Sequence, residues 1–255
     1  MKVTVCELND STDGFARDWE LLVAHAQSEK SDLVLLPEMP FCPWFAWTPE
    51  FDMSIWQEAV AAHIKWQERL TELGPATVLG TRPVNCGDQR LNEGFCWRQA
   101  DGYQGAHHKY YLPNEPGFWE ASWYNRGDGS FTPTQCREAL AGFEICTELW
   151  AFERARAYGK AGVHLIATPR ATPQTSLEKW LVGGRATAVT AGAFSLSSNH
   201  VSSAADAVHF GGLGWIVGPE GEVLGVTSQE RPFVTVEIDL GLAERAKHTY
   251  PRYAI

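Results

Sequence analysis

The chain has 255 residues, 44% of them hydrophobic, enough to bury one large core. A formal charge of −10, a pI near 5.3 and the lack of any Lys/Arg run argue against a surface that tracks phosphates, so no nucleic-acid partner is expected. The start, MKVTVCELND, alternates like a strand, and no segment reaches the roughly 18 to 20 uninterrupted apolar residues of a membrane span. The expectation is a soluble, cytoplasmic protein with no membrane partner, organised as one domain over residues 1–255.

Taken in chain order, residues 2–8 alternate as a strand and 15–29 fit an amphipathic helix. Residues 33–36 (LVLL) form a short apolar run of the buried-strand kind, ending at Pro37-Glu38. A second helix is predicted over 54–73, followed by strands at 77–80, 94–98 and 103–109. The last two are joined by QADG, a hairpin signal ending in Asp-Gly. Another strand covers 140–145, a helix 150–160, a buried strand 163–167 and a long helix 175–192. The remainder reads as strands at 194–198, 213–217, 222–226 and 233–238, with Pro219-Glu-Gly221 as a turn. Strands alternating with helices favour a layered α/β architecture. The loop over 110–133, rich in Pro, Gly, Asn and Trp, is too long for a plain connection, and such loops are usually functional.

The six cysteines, at 6, 42, 86, 96, 136 and 146, are expected to be reduced in a chain of this size without a secretion signal. There is no CxxC or HExxH, and the adjacent His107 and His108 point to opposite faces of a strand, so no metal is expected. Ser176-Leu-Glu-Lys179 matches S-x-x-K, but neither SDN nor KTG follows, and the segment reads more simply as the first turn of a helix.

Three chemically complementary groups fall at strand ends. Glu38 ends LVLLPE, Lys109 ends YQGAHHK and Cys146 ends GFEIC. Taken singly, a strand-end cysteine is more often packing than chemistry, and Glu38 and Lys109 read as surface groups. Together they supply what thiol catalysis needs: a nucleophile, a carboxylate base, and an ammonium that stabilises both a thiolate and an oxyanion.

The segments LLPEM around Glu38, HHKYYLPNEPGFWEASWYNRGD around Lys109 and GFEICTELWAFERARAYGKAGVHLIATPRA around Cys146 resemble the nitrilase, or carbon–nitrogen hydrolase, superfamily. The terminal TYPRY is similar to the tail of carbamoyl-amide hydrolases in that group. The resemblance spans nearly the whole chain and implies a four-layer αββα sandwich, an α/β fold. It further implies Glu38 as general base, Lys109 as oxyanion stabiliser with the backbone N–H of Thr147, and Cys146 as nucleophile, with no metal or organic cofactor. A second glutamate that positions these groups is assigned to Glu120, with Glu115 as the alternative. The implied reaction is hydrolysis of a small-molecule amide or carbamoyl amide through a Cys acyl-enzyme. A nitrile-hydrolysing enzyme and a catalytically silent scaffold on the same fold are the alternatives. A homodimer or larger homo-oligomer is expected from the family and from the apolar, aromatic tail HTYPRYAI.

No arginine directly follows Cys146, which lowers the expectation of a free α-carboxylate on the substrate. Trp44, Phe45 and Trp47 follow Glu38, Phe118, Trp119, Trp123 and Tyr124 surround Glu120, and these two aromatic loops are expected to wall a pocket. Glu148, two residues past Cys146, would face the same side if strand geometry persisted, and so would favour neutral or amine-bearing amides. Arg170, in the third matching segment, is counted with these as substrate-binding.

Overall fold

In a computed structural model, residues 1–74, 76–203 and 206–254 are described. The strands are β1 (Lys2–Asn9), β2 (Leu33–Leu35), β3 (Thr77–Cys86), β4 (Gln89–Arg98), β5 (Gly102–His108), β6 (Thr134–Cys136), β7 (Ala139–Phe143), β8 (Leu165–Pro169), β9 (Phe194–Val201), β10 (Trp215–Val217), β11 (Val223–Val226) and β12 (Phe233–Glu237). The helices are α1 (Thr12–Glu29), α2 (Met53–Trp66), α3 (Glu120–Trp123), α4 (Phe152–Lys160), α5 (Leu177–Ala191) and α6 (Leu240–Ala246).

The strands form two sheets, β12-β1-β2-β3-β4-β5 and β6-β7-β8-β9-β10-β11. They are joined because β1 changes partner along its length: Val3–Val5 pair with β2, while Glu7–Asn9 pair in parallel with β9. Period-two alternation then fixes the layers. Val3, Val5, Leu33 and Leu35 point inward to meet Ala141, Phe143, Leu165 and Leu196 of the second sheet. Cys6, Leu8, Val34 and Leu36 point outward under Phe15, Trp19 and Leu22 of α1. On the far side, Ile166 of β8 lies against Ala155 and Tyr158 of α4 and Ala191 of α5. The result is the αββα sandwich that the resemblance implied.

Local chemistry explains the element ends. Ser11 caps α1 by accepting from the Gly14 N–H at 3.2 Å, so the helix starts three residues before the amphipathic pattern does. Asp52 caps α2 through the Ser54 N–H at 2.7 Å. The predicted helix over 54–73 divides, its last seven residues winding as a 3₁₀ segment. The strand predicted at 77–80 runs on to Cys86 and turns at Gly87, which sits at φ 58° where a side chain is disfavoured, into a hairpin with β4.

This topology sets one rim. β2, β3 and β5 run the same way through the first sheet, as β7, β8 and β9 do through the second. The segments leaving β2, β5 and β7 carry Glu38, Lys109 and Cys146. Among the described residues, no helix is long and apolar enough to cross a membrane.

Candidate active site

Glu38, Lys109 and Glu120 meet in a fully buried ion cluster. Lys109 Nζ donates to Glu38 Oε1 at 2.7 Å and to Glu120 Oε1 at 2.8 Å. Glu38 Oε1 also accepts from Asn92 Nδ2 at 2.7 Å, while Glu38 Oε2 is buried with no hydrogen-bond partner among the described residues. The Tyr124 hydroxyl donates to Glu120 Oε2. Glu120 opens α3 inside the long loop, and the loop is held by Trp119 N–H donating to Ala46 O at 2.7 Å. Of the two glutamates considered, Glu120 reaches the ammonium, whereas Glu115 is exposed at the rim of the neighbouring cavity.

Electrostatics follow from burial. Burial alone pulls the Lys109 ammonium down, but Glu120 and Glu38 overcome it and hold it above the usual lysine range. Burial raises the Glu120 carboxyl to about 7, with Lys109 opposing and the Glu38 charge adding to the rise. Two buried carboxylates on one ammonium leave an unbalanced negative charge, and a proton near neutrality relieves it.

Cys146 stands beside this cluster, 3% exposed, at φ 50°. A non-glycine residue in the left-handed region costs on the order of 1–3 kcal/mol unless its surroundings impose it. Here they do. Strand β7 stops at Phe143, and Cys146 starts a 3₁₀ turn running to Trp150. Glu148 closes that turn, its N–H donating to Ile145 O at 3.1 Å and its Oε2 accepting from the Ile145 N–H at 2.8 Å. Burial pushes the Cys146 thiol up to about 12, with Glu38 and Glu120 adding to the rise and Lys109 opposing it. The resting group is therefore a neutral thiol, packed at the edge of the core, whose Sγ has a long hydrogen-bond contact of 3.9 Å to Ala171 O.

The thiol opens onto a cavity of about 330 Å³. Its aromatic walls are Phe118, Trp150 and Trp180, Thr147 lies beside the thiol, and Glu115 and Lys179 are its charged lining residues. The Lys179 ammonium rests 5.6 Å from the Trp150 ring centroid.

Of the aromatic residues expected here, Phe118 walls the cavity, while Trp44, Phe45, Trp119 and Trp123 lie elsewhere. Trp44, Phe45 and Trp123 are buried in a packed cluster with Trp56 and Phe210, and Trp119 packs against it. Trp44 and Phe45 line a different cavity, of about 520 Å³, together with Trp47 and Trp66. Trp44 touches the candidate site through Phe118, at 6.2 Å between centroids.

Glu148 does not reach the cavity. The turn at Cys146 ends the strand period, so the i, i+2 relation fails and the carboxylate turns into the protein, fully buried. There it accepts from His107 Nε2 at 2.8 Å and from the Tyr110 N–H at 2.7 Å. Arg170 is likewise buried and occupied, donating to Ser197 Oγ, Thr172 Oγ1 and Leu213 O at 2.7, 2.6 and 2.6 Å. Its guanidinium lies 4.2 Å from the Trp215 ring centroid, so it braces β8 against its neighbours.

The sequence reading missed Asn92, Trp150, Lys179 and Trp180, whereas Tyr124, expected beside Glu120, is there. Asn92 lay outside the strand predicted from Gly94 onward. Trp180 carried a signal, since a tryptophan in the first turn of a long helix next to a strand-end site can face it. Among the described residues, no group of three His, Cys, Asp or Glu side chains is placed to hold a metal ion.

A carbon-nitrogen hydrolase family model matches residues 2–248. An N-carbamoylputrescine amidase from Solanum tuberosum is 28% identical over 173 residues, which cover 60% of this chain and 57% of that protein. A chloroplastic omega-amidase from Arabidopsis thaliana is 26% identical over 246 residues, 90% of this chain and 64% of the relative. The chain thus spans under two thirds of the length of these curated relatives. A carbon-nitrogen hydrolase structure from Helicobacter pylori superposes with a TM-score of 0.87 at 19% identity, covering 100% of this chain and 94% of the other. The match over nearly the whole chain, on an αββα sandwich, shows that this protein belongs to the carbon-nitrogen hydrolase family.

Proposed function

We propose that the protein is a thiol-dependent hydrolase of a small-molecule amide or carbamoyl amide, with Cys146 as nucleophile. One observation carries this reading: a buried Glu38–Lys109–Glu120 cluster beside a thiol held on a turn at the mouth of a cavity. A buried cluster of this kind is costly as a purely structural device, since well-packed apolar residues would do as well.

Glu38 presents its unpartnered Oε2 as the base. Because the thiol is neutral at rest, its proton passes to Glu38 as sulfur attacks the amide carbon, and no stable thiolate forms beforehand. Lys109 and the Thr147 N–H hold the developing oxyanion. Collapse of the tetrahedral adduct breaks the C–N bond, and protonated Glu38 gives its proton to the departing ammonia or amine. Water then attacks the thioester, its proton going to Glu38, and the carboxylic acid leaves as sulfur takes the proton back. Glu120 and Asn92 are positioning residues: one holds Lys109 in place, the other orients the Glu38 carboxylate.

The aromatic walls favour apolar substrate bodies. With Glu148 turned inward, Glu115 is the rim carboxylate that suits an amine-bearing amide, and Lys179 is a rim cation that moderates the preference. Neutral amides therefore come first, with amine-bearing ones next. The names of the curated relatives, which act on a carbamoyl amide and on an omega-amide, agree with this class.

Ammonia or amine release from a panel of matched amides, neutral, ammonium-bearing and carboxylate-bearing, tests the reading. Turnover of none of them, or faster turnover of matched nitriles, overturns it. A homo-oligomer is proposed from the exposed Tyr250 and Tyr253, 74% and 70% accessible, and light scattering giving a monomer at micromolar concentration contradicts it. All six cysteines are unpaired, which supports placement in a reducing compartment such as the cytoplasm.

A further inference from the structure

A second cavity lies between the last turns of α4 and α5 and the segment after α6. It measures about 270 Å³. Its charged lining is wholly cationic, Arg156 and Lys160 from α4, then Lys247 and Arg252, with His248 beside them and no carboxylate among the lining residues. In a chain of net charge −10, such a convergence runs against the composition.

The cations differ in what they have left to give. Arg252 is consumed internally, donating to Ala246 O at 2.8 Å, to Val189 O at 3.0 Å, and to Glu220 and Thr249. Lys247 Nζ donates to Gly192 O at 3.2 Å and Ala243 O at 3.0 Å, which leaves one of its three N–H groups free. The side chains of Arg156, Lys160 and His248 have no hydrogen bond or ion pair to any described residue. Arg156 and Lys160 are also four residues apart on one helix, a like-charge spacing that costs a few tenths of a kcal/mol.

The helix dipole offers an ordinary reason for Arg156 and Lys160, since cations are favoured at a helix C-terminus. The same reason covers Lys247, the C-cap residue of α6, whose Nζ also meets the C-cap carbonyl of α5, but it does not account for cations of two segments converging on one cavity. Lys247 is also under electrostatic load: burial pushes its ammonium down to about 8, with Arg252 adding to the fall. Glu244 opposes that fall, but its side chain is 69% exposed and pairs with His164 Nε2 at 3.5 Å.

The geometry points to a binding site for the phosphate group of a small anion, held by Arg156, Lys160 and Lys247, with His248 at the rim. A doubly charged tetrahedral group presents oxygens in several directions and suits donors that converge from two segments. A carboxylate presents one charge in one plane and would leave most of these donors unused. Inorganic phosphate and the phosphate of an organic monoester share this chemistry. The site is independent of the Cys146 chemistry.

The test is isothermal titration of the full chain with inorganic phosphate and, separately, with glycerol 3-phosphate, at constant ionic strength and with chloride as the control. The double variant Arg156→Gln/Lys160→Gln is titrated alongside. One saturable site for at least one ligand, weakened at least tenfold in the variant while thermal midpoint and amide turnover hold, is the expected result. The tighter ligand then names the source. No saturable binding of either ligand, or equal binding by the double variant, overturns the proposal.

Discussion

Glu148→Gln separates a rim residue from a clasp. The carboxylate is fully buried and accepts from two backbone N–H groups, Tyr110 and Ile145, at 2.7 and 2.8 Å, and from His107 Nε2. Tyr110 follows Lys109 and Ile145 precedes Cys146, so one side chain ties the two segments that carry the proposed oxyanion stabiliser and nucleophile. An amide in its place keeps one acceptor oxygen and turns an NH₂ toward the other backbone donor. Leaving that donor unsatisfied costs about 1–3 kcal/mol, and loss of charge weakens the two remaining bonds by about 1 kcal/mol each. The sum, about 3–5 kcal/mol, corresponds to a drop in thermal midpoint on the order of 10 °C for a chain of this size. Urea unfolding at constant m measures it directly, and kcat should fall more than KM changes, because Cys146 and Lys109 lose their common tether. The relative order of neutral, ammonium-bearing and carboxylate-bearing amides should not move. A midpoint within 2 °C of the parent chain, or a reordering of the amide series, would refute the reasoning.

Cys146→Ala removes one buried sulfur, so turnover should vanish while the unfolding free energy changes by only about 1 kcal/mol; residual turnover above a few per cent contradicts the assignment. Glu120 takes up its proton in the folded state at a higher pH than when unfolded, about 7 against 4.5, so its stabilising contribution is complete below pH 4.5 and is lost as pH rises through 7. The stability difference between the parent chain and Glu120→Gln should therefore fall across that window in denaturant titrations, and a flat or rising difference counts against the buried-cluster account. Trp180→Ala removes one wall of the Cys146 cavity and should raise kcat/KM for bulky aryl amides relative to acetamide severalfold; an unchanged ratio removes Trp180 from the substrate's surroundings.

Legibility in the sequence tracked the strength of local pattern. LVLL and GFEIC are apolar runs whose burial leaves few alternatives, so the strands before Glu38 and Cys146 were placed within two residues. The hairpin between β3 and β4 was missed because its outer half, Arg82 to Cys86, is polar and partly solvated and carries no apolar period. Helix α6 and strand β6 are too short to show one. Within the site, the residues named from strand ends and motif context, Glu38, Lys109, Glu120 and Cys146, were brought together. The lining was not legible, because it depends on where loops fold. Trp44 and Trp123 read identically in sequence whether they pack among themselves or wall a pocket. Glu148 was misplaced by one assumption, that strand geometry continues past Cys146, and the left-handed turn at that residue undoes it.

The central claim is that Cys146 forms a covalent acyl-enzyme. Intact-protein mass spectrometry during turnover of a slowly hydrolysed amide or ester, followed by peptide mapping, tests it most directly. A single adduct of the acyl mass on the peptide that contains Cys146, decaying as product appears and missing in Cys146→Ala, is the predicted result. Turnover with no adduct at any time point, or an adduct on another residue with Cys146 unmodified, would contradict it.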